Sequence, residues 1–369
     1  MMKRFLLLRT VLLSLVLSVP AALSTARADM RIGVAAPLSG PFALLGQQLA
    51  DGAHIAATTA APRGHAVTPI ITDDKCTAEG GLAAAATFIE AQVRVVTGFL
   101  CMEALEAALP LLSEKNIPVI TPAIRERGLT ERRAKAPFPV FRLAMPRDRE
   151  ASAIGDILGR LWRDKPFAIL DDGTIPGREL AHGVRASLEA KGLKPVLAET
   201  FRPGLDNQSA LAALIRRSGA TQIFIGGERS DAAAIASAAS AIGHPVTAVG
   251  GETLRAAPEG PDLAPGTLMI AVPEADTLPS AASAVAAFRT AGREPEGYAV
   301  PGYATLQIAM DAAAAGEAGK QPAQAMLRSR TFDTALGPIR FDEPGIRADH
   351  PYGLFRYDGS RFVPQGLPD

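Results

Sequence analysis

Short apolar segments alternate with helix-patterned segments along most of this chain, and this alternation restricts the fold more than any other feature. Residues 30–36, 67–72, 95–98 and 119–121 are predicted to be strands. Between them, leucine, isoleucine and alanine recur at three- and four-residue spacing, as on one face of a helix. Strands that alternate with helices predict an α/β fold with a parallel, doubly wound sheet.

A second series of the same kind begins near residue 150 and predicts a second lobe. Beyond about residue 275 come a helical stretch at 303–315 and two late strands, around 338–341 and 354–357, which could complete either sheet. The second series comprises a helical face at Ile154, Ile157, Leu158 and Leu161, a helix at 177–191, and strands at 166–170 and near Val196, Ile223 and Val246.

Residues 1–28 have the pattern of a secretory signal peptide. Basic residues precede an apolar core at 11–23, and a small-x-small site follows at 26–28. The apolar core is shorter than the roughly 20 residues that span a bilayer, so a cleaved signal is favoured over a membrane anchor. No cysteine follows the site to carry a lipid. We expect cleavage after Ala28 and a soluble exported product.

Two cysteines, Cys76 and Cys101, stand 25 positions apart. In an oxidising compartment such a pair favours a disulfide, which stabilises by roughly 3 kcal/mol in the chain-entropy model. A metal site would need closer pairs or histidine partners, and the five histidines are scattered, so no metal is expected. Two buried free thiols are the remaining alternative.

The charge and the motifs argue against several functional classes. Lysine plus arginine and aspartate plus glutamate both number 38, so a nucleic-acid or anionic-membrane partner is not indicated. The sequence lacks the common nucleotide-binding, nucleophile-elbow and zinc-protease motifs. Asp73-Asp74 and Asp171-Asp172 follow predicted strands, where neighbouring carboxylates point apart and usually cap helices or bind solvent. Neither an enzyme nor a cofactor is expected.

Several segments together carry a family resemblance. They are residues 32–41, Asp73-Asp74-Lys75-Cys76, Leu100-Cys101, Ile120-Thr121-Pro122-Ala123 and residues 336–342. In this order, and with this cysteine spacing, they resemble the leucine/isoleucine/valine-binding proteins, which are type I periplasmic solute-binding proteins of ABC importers. The resemblance extends over essentially all of the chain after the signal segment.

The resemblance implies two α/β lobes joined by three crossovers. Residues 29–145 and 275–345 would form the first lobe, and residues 146–274 and 346–369 the second. It also implies a protein that closes around a small-molecule solute and presents it to the membrane permease of an ABC importer, without chemistry on the solute. A periplasmic sensor of the same fold, which reports its ligand to a signalling partner, is the alternative. Nothing in the chain indicates an interface, so a monomer is expected.

The resemblance also indicates ligand-binding positions in the first lobe. In amino-acid binders of this family, a serine after the second cysteine and a threonine after the Thr-Pro-Ala turn hold the ligand carboxylate. Here Met102 and Arg125 stand at these positions, with Ala123 in the same turn. A guanidinium binds a carboxylate bidentately, so Arg125 could replace the hydroxyls. A solvated or locally paired arginine is the alternative, and Met102 would pack against the solute or fill the helix start.

Further matches fall in both lobes. Glu252 corresponds to the acidic residue that holds the ligand amino group, Glu228 replaces a tyrosine, Leu45 replaces a wall aromatic and Tyr298 matches another. The alternatives are a helix-capping Glu252, a surface pair of Glu228 with the next arginine and a core Tyr298. A buried arginine needs a counter-charge, so the ligand or one of these glutamates should neutralise Arg125. These matches predict a small polar or zwitterionic solute that carries a carboxylate. Amides, urea-like solutes and aromatic carboxylates, which other members of the resembled family bind, are the alternatives.

Overall fold

The computed structural model describes residues 30–60, 66–126, 138–205, 207–258 and 260–367. The expected signal segment, residues 1–28, lies outside them. Over the described part, the chain forms two larger β-sheets, each flanked by helices, and one two-stranded sheet. The predicted α/β class with doubly wound parallel sheets is confirmed.

Five parallel strands form the first sheet, and most of their side chains are buried because helices cover both faces. Thr77 caps the second helix, since its hydroxyl accepts a hydrogen bond from the Gly80 amide. The elements are β1 (Met30–Ala36), α1 (Ala43–Ala60), β2 (Val67–Asp73), α2 (Ala78–Glu90), β3 (Val96–Gly98), α3 (Met102–Glu114), β4 (Val119–Thr121) and β5 (Val140–Arg142). The strand order across the sheet is β2-β1-β3-β4-β5.

The remaining strands are β6 (Phe167–Asp171), β7 (Leu197–Thr200), β8 (Gln222–Gly226), β9 (Thr247–Gly250), β10 (Leu268–Ala271), β11 (Thr331–Thr334), β12 (Gly337–Arg340), β13 (Gly353–Tyr357) and β14 (Phe362–Gln365). Seven of them form the second sheet, in the order β14-β13-β10-β9-β8-β6-β7. β13 and β14 are antiparallel to their neighbours, and the other five are parallel. The helices that accompany this sheet are α4 (Arg147–Leu161), α5 (Ile175–Glu189), α6 (Ser209–Ser218) and α7 (Arg229–Ala241).

One late strand differs from expectation. The strand predicted at 354–357 completes the second sheet as β13, but the strand predicted at 338–341 completes neither sheet. As β12 it pairs with β11 alone, and Phe332 and Ile339 from this hairpin are buried in the core of the first sheet. The hairpin therefore contributes apolar side chains to a core without adding a strand to the adjoining sheet.

Three late helices return to the first sheet. They are α8 (Ala282–Thr290), α9 (Ala299–Gly319) and α10 (Ala323–Ser329), and their apolar residues share one core with β1 and α1. Helices α1 and α9 approach closely at glycines: a Cβ added at Gly52 would lie 2.1 Å from the carbonyl oxygen of Ala299. A Cβ added at Gly302 would lie 2.5 Å from that of Leu49. We call the first sheet with α1–α3 and α8–α10 the first lobe, and the second sheet with α4–α7 the second lobe.

The chain segments that connect the two lobes are joined to each other by hydrogen bonds and an ion pair. The amide of Arg142, at the end of β5, donates to the Gly345 carbonyl at 2.8 Å, and the Arg347 amide donates to the Arg142 carbonyl at 3.0 Å. Arg149, in the first turn of α4, forms an ion pair with Asp342. Two connections are thus held side by side at the junction.

Cys76 and Cys101 form the expected disulfide, with their Cα atoms 5.2 Å apart. The bridge joins the loop after β2 to the start of α3. Beside it, the carboxylate of Asp73 accepts hydrogen bonds from the amides of Leu38 and Lys75 and from the hydroxyl of Ser39. The hydrogen bonds of this carboxylate connect the loop after β1 to the loop after β2. Among the helices of the described ranges, none is both long enough and apolar enough to cross a membrane.

Candidate functional site

The carboxyl ends of parallel strands carry most of the residues that the sequence indicated. In open α/β sheets this edge is where ligands bind. In the first lobe, Leu45 lies in α1 after β1, Met102 begins α3 after β3, and Ala123 and Arg125 follow β4. All four are partly exposed. In the second lobe, Glu252 follows β9.

The turn after β4 is shaped by the buried side chain of Thr121. Its hydroxyl donates to the carbonyl of Phe99 at 2.9 Å and accepts from the amides of Ala123 and Ile124 at 3.3 and 3.4 Å. Because the hydroxyl holds two successive amides, the chain turns sharply at this edge of the sheet. Arg125 follows directly and extends from the first lobe towards the second.

The guanidinium of Arg125 bridges the two lobes. Nε donates to the carbonyl of Met145 at 2.9 Å, and Nη2 donates to Oε2 of Glu150 at 2.5 Å. The hydroxyl of Tyr352 lies 3.5 Å from Nη2, and Oε2 of Glu252 lies 3.9 Å from Nη1. The Arg125 side chain is 28% exposed, so it is neither a freely solvated surface arginine nor a sealed core residue. The main counter-charge is Glu150, which the sequence did not indicate; of the expected glutamates, Glu252 faces Arg125 at the longer distance.

Glu150 did not emerge from the sequence as a site residue. It lies in the first turn of α4 with its side chain only 7% exposed. Burial raises the pKa of its carboxyl, and the positive charge of Arg125 opposes that rise without cancelling it. Burial alone would lower the pKa of Arg125, but the Glu150 carboxylate outweighs this effect and the pKa of Arg125 is raised. The two groups therefore stabilise each other's charged form at the junction.

Glu252 is the exposed acid of the cluster, with 47% of its side chain accessible. It begins a short 3-10 helix, Glu252–Arg255, and its carboxylate pairs with Arg255 at 3.2 Å as well as facing Arg125. Thr253 fixes the same helix by donating to the carbonyl of Gly227 at 2.7 Å. The Glu252 side chain therefore does not act as a helix cap; its carboxylate lies between Arg125 and Arg255.

Two tyrosines border the charged cluster. Tyr298, which precedes α9, is partly buried; burial and the negative charge of Glu252 raise the pKa of its hydroxyl, while Arg125 opposes the rise. Tyr352, which precedes β13, shows the same direction of pKa shift, from burial and from the Glu150 charge. Tyr298 was indicated by the sequence and Tyr352 was not. Each offers an aromatic surface beside the charges.

Glu228 occupies a different environment. It is exposed before the first turn of α7. The neighbouring Arg229 is buried: its Nη1 donates to the Leu254 carbonyl at 2.9 Å, and its guanidinium stands 5.2 Å from the ring centre of Tyr357. The alternative of a surface ion pair between Glu228 and Arg229 is therefore wrong, because Arg229 points into the lobe.

Two cavities border helix α5. One, of about 490 Å³, has Arg125 in its wall together with Arg147, Asp148 and His182. The other, of about 600 Å³, lies between α5 and β7, away from the charged cluster. Among the described residues, no group of three or more histidine, cysteine, aspartate and glutamate side chains is placed to hold a metal ion. The cluster around Arg125 is the candidate site, because it combines both signs of charge with aromatic surface.

Comparison with known proteins agrees with this architecture. Residues 29–361 match the family model for periplasmic binding proteins. The chain belongs to this family. An amino acid binding protein of Pseudomonas aeruginosa is 30% identical, with 95% of this chain and 96% of that protein covered. The Leu/Ile/Val-binding protein homolog 2 of Brucella abortus is 29% identical, with 90% and 91% covered.

Solved structures of the family share the fold of this binding protein. An ABC transporter substrate-binding protein from Desulfitobacterium hafniense, in complex with Leu, has a TM-score of 0.70 at 22% identity and covers 91% of this chain and 100% of its own. At that identity the likeness shows the fold alone. The resemblance read from the sequence is confirmed: this is a solute-binding protein of a periplasmic family, not an enzyme.

Proposed function

We propose that this binding protein is the periplasmic solute-binding subunit of an ABC importer and that it captures an amino acid or a related small solute with a carboxylate. The observation that carries the proposal is the meeting of Arg125 and Glu252 across the junction of the lobes, 3.9 Å apart. Opposite charges that face each other from two lobes match the two ends of a zwitterion. The relative that is 30% identical is an amino acid binding protein, which supports the same solute class.

The carboxylate of the solute would bind the Nη1 edge of Arg125. Among the residues that the structure describes, Nη1 makes no hydrogen bond, because 3.9 Å to Glu252 is too long for one. A solute that inserts there would accept from Arg125 and donate its ammonium group to Glu252. Charge-assisted hydrogen bonds of this kind are about twice as strong as neutral ones.

We propose that the remaining predicted positions form the walls of the site. Leu45, Met102 and Ala123 would pack against the solute from the first lobe, and Tyr298 would cover it from the side. Glu228, which is exposed, would contact only a solute that reaches the start of α7.

We further propose that the lobes move as two bodies, residues 29–145 with 275–345 and residues 146–274 with 346–369. Closure around the solute would give the membrane permease a distinct shape to recognise. The protein would act as a monomer after cleavage at Ala28.

A thermal-shift screen of the mature protein tests this function. The protein is unfolded and refolded to remove bound solute, then mixed with amino acids, amides and carboxylic acids. A solute at a hundredfold above its Kd adds about 2.7 kcal/mol, a shift of several degrees. We expect an amino acid to give this shift, and Arg125→Ala to abolish it at the same concentration.

Each variant is compared with its own unfolding midpoint, since loss of Arg125 leaves Glu150 without its counter-charge. Arg185→Ala is the matched control, because Arg185 pairs with Glu189 on the exposed face of α5. It should keep the full shift. A panel in which no amino acid stabilises the unaltered protein would contradict amino-acid capture.

A further inference from the structure

The Glu150 carboxylate already occupies one edge of the cation that the solute carboxylate would need. Its Oε2 lies 2.5 Å from Nη2 of Arg125, and the side chain is almost fully enclosed. Its other oxygen faces the backbone at the end of β9, since a Cβ added at Gly251 would lie 3.7 Å from Oε1. Glu150 is therefore a fixed negative charge behind the site and not a mobile surface acid.

The charged and titratable groups around Glu150 come from four elements. Arg125 approaches from the turn after β4, Glu252 from the end of β9, Tyr352 from the segment before β13, and Arg147 belongs to its own helix. Arg125 is thus shared by two carboxylates of the protein itself. A solute with a carboxylate alone would add a third negative charge around this arginine. A zwitterion would add its ammonium group as well and offset Glu252.

We propose that Glu150 is a specificity-determining residue, which weakens binding of solutes that carry a carboxylate alone and so selects those that also carry a positively charged amine. The inference rests on the proposed contact between Arg125 and the solute carboxylate. It goes further in naming the residue that discriminates amino acids from simple organic acids. The discrimination is electrostatic: without direct contact, the charge of Glu150 repels the solute carboxylate behind which it lies and attracts an ammonium group, so only a zwitterion offsets the repulsion.

The test compares L-leucine with 4-methylpentanoate, which is leucine without its amino group. Binding of both probes is measured by calorimetry at pH 7.5 to the mature protein and to Glu150→Gln. Glutamine keeps a carbonyl acceptor for Nη2 of Arg125 and removes the charge. We expect Glu150→Gln to gain at least about tenfold in affinity for 4-methylpentanoate, which is about 1.4 kcal/mol. The ratio of leucine to 4-methylpentanoate affinity should fall accordingly.

Glu189→Gln is the matched control, because it removes one negative charge from an exposed pair with Arg185 in the same lobe. It should leave both affinities unchanged. Unchanged or weaker binding of 4-methylpentanoate by Glu150→Gln, including no detectable binding, would overturn the inference and make Glu150 a support for Arg125 only.

The unaltered protein provides a second measurement that does not depend on a variant. Because burial raises the pKa of Glu150, its carboxyl gains a proton more readily as the pH falls, and binding of 4-methylpentanoate should tighten on acidification while the carboxylate of the solute stays ionised. This pH dependence of 4-methylpentanoate binding should vanish in Glu150→Gln. If the unaltered protein does not show it, that result would count against the inference. If the unaltered protein binds an amino acid but Glu150→Gln gains nothing, the proposed function stands and this inference fails. If no amino acid binds the unaltered protein but Glu150→Gln gains the acid, amino-acid capture fails, and of the inference only the exclusion of simple acids by Glu150 stands.

Discussion

At the scale of single residues, the least expected group in the first lobe is the carboxyl of Asp74. Its side chain is fully buried, and Oδ1 accepts a hydrogen bond from the Cys76 amide at 3.0 Å. Oδ2 has no hydrogen-bond partner within the described residues. Burial raises the pKa of Asp74 to about 6, with a further rise from Asp73 and an opposing effect of the hydrogen bond. A carboxyl of this kind makes stability depend on pH.

We expect Asp74 to cost stability as the pH rises. Its folded-state pKa lies above the unfolded value of 3.8, so its contribution is complete below about pH 4 and is lost as the pH passes through about 6. The loss is on the order of 2–3 kcal/mol. Asp74→Asn should remove this part of the pH dependence, measured by urea unfolding from pH 4 to pH 7. Asp276→Asn, at an exposed site, should not. Equal pH slopes in Asp74→Asn and the unaltered protein would refute this assignment.

The sequence located part of the charged cluster but not its centre. The structure brings Arg125, Glu252 and Tyr298 together, as the family match indicated, and their contact with a solute stays a prediction. Glu150 was missed, although it carried a signal: it stands four residues before Ile154 and so on the apolar face of α4. A carboxylate on such a face needs a partner. Which partner it finds depends on the approach of two lobes, and no local pattern encodes that.

At the scale of elements, the packing of α1 against α9 depends on glycine. We expect Gly52→Ala to destabilise the protein by about 2–3 kcal/mol or more, because the added methyl group would collide with the Ala299 carbonyl of α9. Gly319→Ala, in the last turn of α9, is the control, since nothing lies within 4 Å of its added Cβ. It should be neutral or slightly stabilising. Denaturant unfolding of both variants measures the difference, and equal stabilities would show that α1 and α9 can separate at little cost.

The elements themselves were largely predictable, whereas their partners were less so. Apolar runs located nine of the twelve described strands in the two larger sheets to within a few residues, because buried parallel strands need continuous apolar sequence. They did not indicate β5, β10 or β14. The run at 338–341 was also a strand, yet it joined neither sheet. The alternation of apolar and polar residues in this strand indicates that one face is buried, but it does not indicate which element covers that face. Here α9 and β11 decided the outcome.

At the scale of the whole molecule, Arg125 connects the lobes through Glu150 and Glu252. We expect Arg125→Ala to open the ligand-free protein, because both ion pairs across the junction are lost. X-ray scattering should show a radius of gyration a few per cent above the roughly 20 Å of a compact chain of this length. Arg185→Ala should scatter like the unaltered protein. An unchanged radius in Arg125→Ala would mean that the connecting segments alone set the opening.

The chain passes back and forth between the lobes, and this order determines how late in synthesis each lobe receives its last elements. The first sheet has all five strands once Arg142 is synthesised, but α9, which covers it, follows only at Ala299–Gly319. The second sheet in turn waits for the β13–β14 hairpin, Gly353–Gln365. Neither core is therefore complete until most of the chain has been synthesised. We expect such late completion to suit export of the unfolded chain, which the signal pattern of residues 1–28 predicts.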